Sequence, residues 1–369
     1  MRLTALKVFY LGSEFMLDIV QLMYNDASAK GIPVGGTFEL TPLCNMNCRM
    51  CYIRMSKEDM DKCGKMKTAE EWLNIAKKAR ERGLLFLLLT GGEPFLYPEF
   101  WELYEGLKKM GIMVSINSNA TMLSDDIIDR LIKNPPQRIN VTIYGGSDET
   151  YKELCRYENG FTKATEAVRK LRNAGICVKI NGSITPLNCS DIPFCFQFAK
   201  EVETPLQLGS YMFPPMRRED KYTCRFEAEE AGYYQAVIDK MRYEPADLEK
   251  VRGDIIKCNE CGSHLERPPK FRCRAGRSSF WINWKGEMHA CGMMENFKEY
   301  PFEKDFGECW DNIHKAVLEQ TALTPCSECE DRDVCKVCPA IAFSETGSFN
   351  EKPEYLCRMT RKWKEEMLK

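Results

Sequence analysis

Residues 41–55 read TPLCNMNCRMCYIRM and place three cysteines, Cys44, Cys48 and Cys51, within eight positions. Iron–sulfur clusters are usually held by four cysteines. A compact group of three therefore suits three irons of one cuboidal cluster and leaves the fourth iron for a small molecule. The alternatives are a structural zinc site or three buried thiols, since free Cys also packs as a small apolar residue. Zinc sites normally join two Cys or His pairs, and no His lies in the first half of the chain, so the pattern favours the cluster.

Cysteine is the unusual component of this chain, with 19 in 369 residues and about half of them in the last third. The start, MRLTALKVFYLGSEFMLD, carries Lys7 within its apolar run, so an amphipathic helix is expected there rather than a signal peptide. No apolar run reaches the length of about 18 residues that a membrane span needs. A reducing cytoplasm with thiolates reserved for metal is therefore predicted. The net charge of −2 gives no reason to expect nucleic acid or a membrane as partner.

Short apolar segments alternate with charged, helix-periodic segments along the first two thirds of the chain, which is typical of βα units around a parallel sheet. Thr68 and Ser124, each followed by acidic residues, mark two helix starts. The predicted strands are 37–41, 84–89, 113–117, 139–143, 177–184 and 205–211. The predicted helices are 69–82, 98–110, 124–132, 161–174, 192–201 and 227–242. Six units predict an α/β fold, a partial (β/α)6 barrel with an open side, followed by a small Cys-rich C-terminal domain.

The pattern changes three times along the chain, and these changes predict four segments. Residues 1–36 form an N-terminal helical lead, 37–212 the partial barrel, 213–257 a bridging helical segment and 258–369 the Cys-rich domain. Gly, Cys and short strands dominate the last segment.

The tetrapeptide Gly91-Gly92-Glu93-Pro94 directly follows the second predicted strand. Ligands of parallel α/β sheets bind at the carboxyl ends of the strands. Two glycines there let the backbone approach a ligand closely, and Glu93 suits an ammonium group. Alone, the tetrapeptide is equally consistent with a tight turn. One βα unit after the cysteine trio, it is far more specific.

The sequences CNMNCRMCY and GGEP together resemble those of the radical S-adenosylmethionine (radical SAM) enzymes. The resemblance covers residues 37 to about 211. It implies a four-iron four-sulfur cluster on Cys44, Cys48 and Cys51, whose open iron is chelated by the methionyl group of S-adenosylmethionine. It implies reductive cleavage of this cofactor to a 5′-deoxyadenosyl radical that abstracts hydrogen. The cofactor-binding residues implied by the resemblance are Tyr52 near the adenine, Gly91, Gly92, Glu93 and Pro94 at the methionyl amino group, and Asn117, Ser118, Thr142 and Arg156 at the ribose or carboxylate. A solvated helix residue is an equally good interpretation of Arg156.

The C-terminal cysteines suggest further metal binding. Cys273 and Cys291 flank an alternating FWINW segment with a turn at Lys285-Gly286, which predicts a β-hairpin that brings them together. A zinc ribbon is the alternative for the later C-x2-C pairs. The whole arrangement resembles the SPASM extension of radical SAM enzymes, although its spacing before Cys338 is one residue shorter than usual. The ligands implied by this resemblance are Cys273, Cys291 and Cys338 for a first auxiliary four-iron cluster, with Cys261 or Cys258 as its fourth ligand or an open iron, and Cys326, Cys329, Cys335 and Cys357 for a second.

Enzymes with a SPASM extension mostly modify peptides or proteins. The leading hypothesis is therefore a maturase of a ribosomally made peptide that forms a thioether or carbon–carbon cross-link. It would use three four-iron four-sulfur clusters, S-adenosylmethionine, an electron donor such as flavodoxin or ferredoxin, and a leader-binding partner protein or the core itself to recognise the peptide. No catalytic base is identifiable. The alternatives are an anaerobic sulfatase-maturase-like oxidation, disfavoured because Gly292 follows Cys291 where that group has an Asp, a small-alcohol dehydrogenation, and a zinc or redox scaffold without catalysis.

Overall fold

The computed structural model describes residues 19–217, 224–261, 273–320 and 324–369. Its nine strands are β1 (Gly35–Glu39), β2 (Phe86–Thr90), β3 (Met113–Ser118), β4 (Arg138–Thr142), β5 (Val178–Ser183), β6 (Leu206–Gly209), β7 (Ser279–Ile282), β8 (Met288–Cys291) and β9 (Met294–Glu299). The helices are α1 (19–30), α2 (Lys57–Cys63), α3 (Ala69–Glu81), α4 (Phe100–Lys109), α5 (Asp125–Lys133), α6 (Asp148–Cys155), α7 (Gly160–Asn173), α8 (Ile192–Glu201), α9 (Ala228–Arg242), α10 (Pro245–Cys261), α11 (Phe306–Glu319), α12 (Thr324–Ser327), α13 (Pro339–Thr346) and α14 (Glu354–Leu368).

One sheet in the order β6-β5-β4-β3-β2-β1-β7-β8-β9 contains all these strands. Strands β1 to β6 pair in parallel with their neighbours in chain order, and β6 is an edge. Each connection carries at least one helix, as parallel strands require. The predicted α/β fold with six parallel strands is thus confirmed, and each of the six predicted helices is present with small shifts at its ends.

The helices are fixed to the sheet by apolar faces and by capped N-termini. In α3, the Thr68 side chain accepts a hydrogen bond from Glu71 N–H while the Glu71 carboxylate accepts one from Thr68 N–H, a capping box that satisfies two helix-end donors. One turn further, Trp72 is fully buried against Phe38 of β1, with ring centroids 4.4 Å apart. The predicted start at Ser124 is likewise an N-cap, for α5.

The C-terminal hairpin lies in the same sheet as the barrel strands. β7 pairs in parallel with β1, and β8 and β9 continue antiparallel. The turn between β7 and β8 includes Gly286 with a positive φ of 91°, at the position that the sequence predicted. α10 runs through the predicted boundary between 257 and 258. No helix in the described parts of the chain is long and apolar enough to cross a membrane.

Candidate active site

The loop after β1 carries the three clustered cysteines. Cys44 Sγ accepts a hydrogen bond from Met46 N–H at 3.4 Å, and Cys51 Sγ accepts one from Arg54 N–H at 3.3 Å. Such bonds favour thiolates. Burial nevertheless raises the pKa of Cys44 to about 12, so a bound cation is needed to keep this group deprotonated at neutral pH. Without a bound cation, Cys44 is therefore a neutral thiol.

Two backbone hydrogen bonds connect this loop to helix α6. Asn47 N–H donates to the Cys155 carbonyl at 3.0 Å and Arg49 N–H donates to the Leu154 carbonyl at 2.9 Å. A hydrogen bond with the Cys155 thiol and burial raise the pKa of Cys48 well above its usual value. The sequence does not single out Cys155, because nothing local relates it to a cysteine about a hundred residues earlier.

The turn Gly91-Gly92-Glu93 packs backbone to backbone against the segment before Cys44. Gly92 N–H donates to the Thr41 carbonyl at 2.7 Å and Glu93 N–H donates to the Leu43 carbonyl at 2.9 Å. A Cβ on Gly91 would lie 2.5 Å from the Thr41 oxygen, and one on Gly92 would lie 2.3 Å from the Leu43 oxygen. Both glycines are needed because no side chain fits there.

Glu93 is a fully buried carboxylate. It accepts hydrogen bonds from Ser118 Oγ at 2.9 Å, Asn119 N–H at 2.9 Å and Phe95 N–H at 3.3 Å. Burial raises its pKa to about 7, and no cation of the described residues forms an ion pair with it. A buried carboxylate with only neutral donors is stabilised by a nearby ammonium group.

A cavity of about 590 Å³ lies inside the six parallel strands. It has the size of ordinary small-molecule sites. Glu93 and Pro94 are not among the residues that line this cavity. Arg156 does not line it either, and its side chain is exposed just past the end of α6. Among the residues predicted for the site, those that line this cavity are Cys44, Cys48, Cys51, Tyr52, Gly91, Gly92, Asn117, Ser118 and Thr142.

A second cavity, of about 680 Å³, lies between α1 and the C-terminal hairpin, and Cys273 and Cys291 line it. The pKa of Cys291 is raised to about 11 by burial, and the charges of Cys273 and Cys338 contribute, so the three thiols lie near one another. Cys261 belongs to α10, but its side chain lies outside the described residues. The assignment of these cysteines to a cluster stays a prediction.

Four further cysteines surround one small pocket of about 20 Å³. They are Cys326, Cys329, Cys335 and Cys357, the set that the sequence grouped together. The neighbouring Cys258 thiol donates to the Glu330 carbonyl at 2.8 Å, and therefore lies beside this third group of cysteines. Their role as ligands also stays a prediction.

No three His, Cys, Asp or Glu side chains of the described residues surround a point closely enough to hold a single metal ion. A cuboidal cluster instead places each thiolate on a different iron, so its ligands lie further apart than those of one zinc ion. The cysteine groups of the described residues therefore do not form a preassembled site for a single metal ion.

Glu39, the last residue of β1, forms an ion pair with Arg217. The Glu39 carboxylate accepts hydrogen bonds from Arg217 Nη2 at 3.0 Å and from Trp281 Nε1 at 3.4 Å, and it is 1% exposed. Tyr52 lies beside this pair: burial raises its pKa, the Glu39 charge raises it further and the Arg217 charge lowers it. Sequence analysis missed Glu39 and Arg217, since no local pattern links residues 178 positions apart.

Comparison with known proteins agrees with these features. The radical SAM superfamily matches residues 38–191. The AdoMet-dependent heme synthase of Methanosarcina barkeri is 25% identical over 346 residues, which are 86% of this chain and 94% of the relative. The subtilosin biosynthesis protein AlbA of Bacillus subtilis is 23% identical over 78% of this chain and 60% of its own. The crystal structure of Streptococcus suis SuiB bound to S-adenosylmethionine has the same fold, with a TM-score of 0.65 and 16% identity over 89% of this chain and 75% of SuiB.

Proposed function

With a radical SAM domain over residues 38–191, the chain is a radical SAM enzyme, and we propose that it modifies a peptide substrate. The reaction proposed is formation of a thioether or carbon–carbon cross-link in a ribosomally made peptide. Hydrogen abstraction from a backbone or side-chain carbon starts that reaction.

The superfamily implies one four-iron four-sulfur cluster and S-adenosylmethionine, and the residues present fit both. Cys44, Cys48 and Cys51 line the first cavity together, and three thiolates suit three irons of one cluster. Gly91 and Gly92 leave the backbone bare beside these thiols, and the buried carboxylate of Glu93 suits an ammonium group. When bound, cluster and cofactor supply a 5′-deoxyadenosyl radical.

Two auxiliary clusters are proposed in addition. Cys273, Cys291 and Cys338 lie near one another beside the second cavity. Because the Cys258 thiol faces Glu330, Cys261 is the better candidate for the fourth ligand of this cluster. The second auxiliary cluster would bind the four cysteines around the small pocket, namely Cys326, Cys329, Cys335 and Cys357.

The observation that carries the peptide proposal is the pair of large cavities, of which the first is lined by the cysteine trio and the second by Cys273 and Cys291. The edge strand β6 leaves the barrel open on one side. Among the relatives, AlbA serves the biosynthesis of the bacteriocin subtilosin, and SuiB has been crystallised with its precursor peptide SuiA, which supports a peptide here.

The reaction needs partners beyond the chain. We propose a flavodoxin or ferredoxin as electron donor, and a separate leader-binding protein or the core itself for peptide recognition. The cytoplasm is the proposed compartment, because thiolates of this kind persist in a reducing environment.

Chemistry on a tetrapyrrole is the second candidate. It is favoured by the similarity to the Methanosarcina barkeri heme synthase, which extends over 94% of that protein. The first cavity, at about 590 Å³, is within the usual range for small-molecule sites.

Anaerobic reconstitution separates these candidates. We expect about twelve irons per chain, as three cubanes require, and formation of 5′-deoxyadenosine from S-adenosylmethionine on reduction. Deuterated peptides encoded beside the gene, and a deuterated porphyrin carrying propionates, are then supplied in separate reactions. Deuterium in 5′-deoxyadenosine from the peptide alone supports the proposal, and deuterium from the porphyrin alone overturns it in favour of the second candidate. Stoichiometric zinc without cleavage would overturn both.

A further inference from the structure

The first cavity has an unbalanced charge. Its described lining contains two cationic side chains, Arg138 and Lys179, and no Asp or Glu. Arg138 makes no hydrogen bond or ion pair with any described residue, and Lys179 Nζ donates only to the Gln207 side chain. A cavity lined by cations without carboxylates attracts an anion.

These cations lie far from the cysteine trio. Arg138 is the first residue of β4, four residues before Thr142, and Lys179 precedes Ser183 of β5 by the same number. At about 3.3 Å per residue, four residues of strand span about 13 Å. The trio and the Gly91-Gly92 turn lie at the carboxyl ends of the strands, so a methionyl carboxylate bound at the trio is too distant to neutralise Lys179 or Arg138.

Lys179 is held in an unfavourable electrostatic environment. Burial lowers its pKa, and the nearby charges of Arg138 and Arg242 lower it further. Arg242 belongs to α9 and pairs with Asp239, so its charge is compensated. The charges of Lys179 and Arg138 are compensated by no carboxylate of the described residues, and a bound anion would reverse this penalty.

An independent feature next to Lys179 also indicates a ligand. Asn140 is its direct neighbour on the adjacent strand, lines the same cavity and is only 8% exposed. Its Nδ2 donates to Asn117 Oδ1 at 2.7 Å, whereas its Oδ1 has no hydrogen-bond partner. Buried acceptors are normally satisfied, so a donor on a bound molecule is expected at this oxygen.

We propose that this end of the cavity binds a carboxylate of the substrate, with Lys179 and Arg138 as its donors and Asn140 Oδ1 accepting a hydrogen bond from a neighbouring donor group. This inference rests on the proposed function, because it assigns part of the substrate to the same cavity. The carboxylate is an acidic side chain or the C-terminus of a peptide, or a propionate of a tetrapyrrole. The site lies beside the edge strand β6, on the open side of the barrel.

Binding to the reconstituted enzyme with S-adenosylmethionine, measured anaerobically by titration calorimetry, tests the inference. Three peptide probes are used: a hexapeptide with one internal Glu and an amidated C-terminus, the same peptide with Gln in place of Glu, and the Gln peptide with a free C-terminus. A porphyrin with four propionates is compared with its tetraamide. The variants are Lys179→Met, Lys179→Arg and the matched control Lys200→Met, which removes an exposed lysine of α8. Loss of one charged hydrogen bond predicts about ten- to a hundredfold weaker binding of the carboxylate probe to Lys179→Met, with most of the affinity kept by Lys179→Arg.

A second measurement protects the test against a misfolded variant. In the wild-type enzyme, mass spectrometry follows the rate at which an amine-reactive acylating reagent modifies Lys179. The bound carboxylate probe should slow this reaction at least tenfold, while Lys200 reacts at an unchanged rate. Equal affinities for every acid and amide pair, or acylation of Lys179 unaffected by all probes, would overturn the inference even if peptides are modified. Lys179-dependent binding of the porphyrin acid alone would support the carboxylate site and overturn the peptide proposal. Dependence on the Glu peptide or on the free C-terminus supports both and identifies the source of the carboxylate.

Discussion

Replacing Gly92 by alanine tests whether the cysteine loop and the glycine turn fit together only through bare backbone. A Cβ at this position would lie 2.3 Å from the Leu43 carbonyl oxygen and 2.6 Å from its carbon. Ordinary van der Waals contact begins near 3.4 Å, so the turn has to retreat by about 1 Å. The opposing atoms are backbone and cannot rotate away.

The cost of that retreat follows from the contacts that it disturbs. Overpacking of a close-packed region costs about 1–3 kcal/mol. The hydrogen bond from Glu93 N–H to the Leu43 carbonyl, now 2.9 Å, would be stretched beyond bonding range, which adds about 1 kcal/mol. We therefore expect Gly92→Ala to lower the free energy of unfolding of the apoprotein by about 2–4 kcal/mol. Because Leu43 directly precedes Cys44, iron content after reconstitution should fall as well.

Gly253→Ala is the matched control. Gly253 lies in α10 and an added Cβ would meet nothing within 4 Å, so alanine should stabilise the helix by up to about 1 kcal/mol. Urea unfolding followed by circular dichroism gives the free energies, and iron per chain reports on the cluster. An unchanged unfolding midpoint together with wild-type iron content in Gly92→Ala would refute the reasoning, since it would mean that the turn is free to move away from Leu43.

Three other predictions concern buried charge and metal ligands. Arg217→Met leaves the Glu39 carboxylate buried without its cation, so unfolding in urea should show a loss of about 3–5 kcal/mol that the double variant Arg217→Met/Glu39→Leu partly restores; equal losses in both would contradict the ion pair. Burial raises the folded-state pKa of Glu93 from 4.5 to about 7, so its protonated form is stabilising below pH 4.5 and the benefit is lost as pH rises through 7. The apoprotein should thus match Glu93→Gln near pH 4.5 and be less stable than it at pH 8 by up to about 3 kcal/mol in urea unfolding, whereas a constant difference would be inconsistent with burial as the cause. Iron analysis should show about four fewer irons per chain in Cys335→Ser and no loss in Cys258→Ser, and the reverse pattern would exclude the ligand assignment.

The parts of this molecule that sequence predicts are those encoded within one unit of secondary structure. The six parallel strands and the turn at Gly286 follow from local hydrophobic periodicity and turn chemistry. The cysteine trio and the Gly91-Gly92-Glu93-Pro94 turn are recognisable because each is continuous in the chain. The structure brings the lining members of these two motifs to one cavity, as expected for successive βα units.

The parts that sequence does not predict depend on contacts between distant segments. The hairpin continues the barrel sheet because β7 pairs with β1, a choice of partner that no local pattern determines. Lys179 and Asn140 read as ordinary polar positions of strands, and only the strand register shows that they are neighbours inside the barrel. Arg156, which the resemblance placed at the cofactor carboxylate, is the left-handed residue that ends α6, with φ of 51°, and its side chain is exposed, so its role stays a prediction.

Segment 211–217 connects the carboxyl end of β6 to the cysteine loop. Its first three residues line the cavity beside the edge strand β6. Its last two hold the loop, since Met216 N–H donates to the Tyr52 carbonyl at 3.3 Å and Arg217 Nη1 donates to the Ile53 carbonyl at 3.3 Å. Arg217 also pairs with Glu39. This short segment therefore joins the cavity wall after β6 to the backbone directly after Cys51.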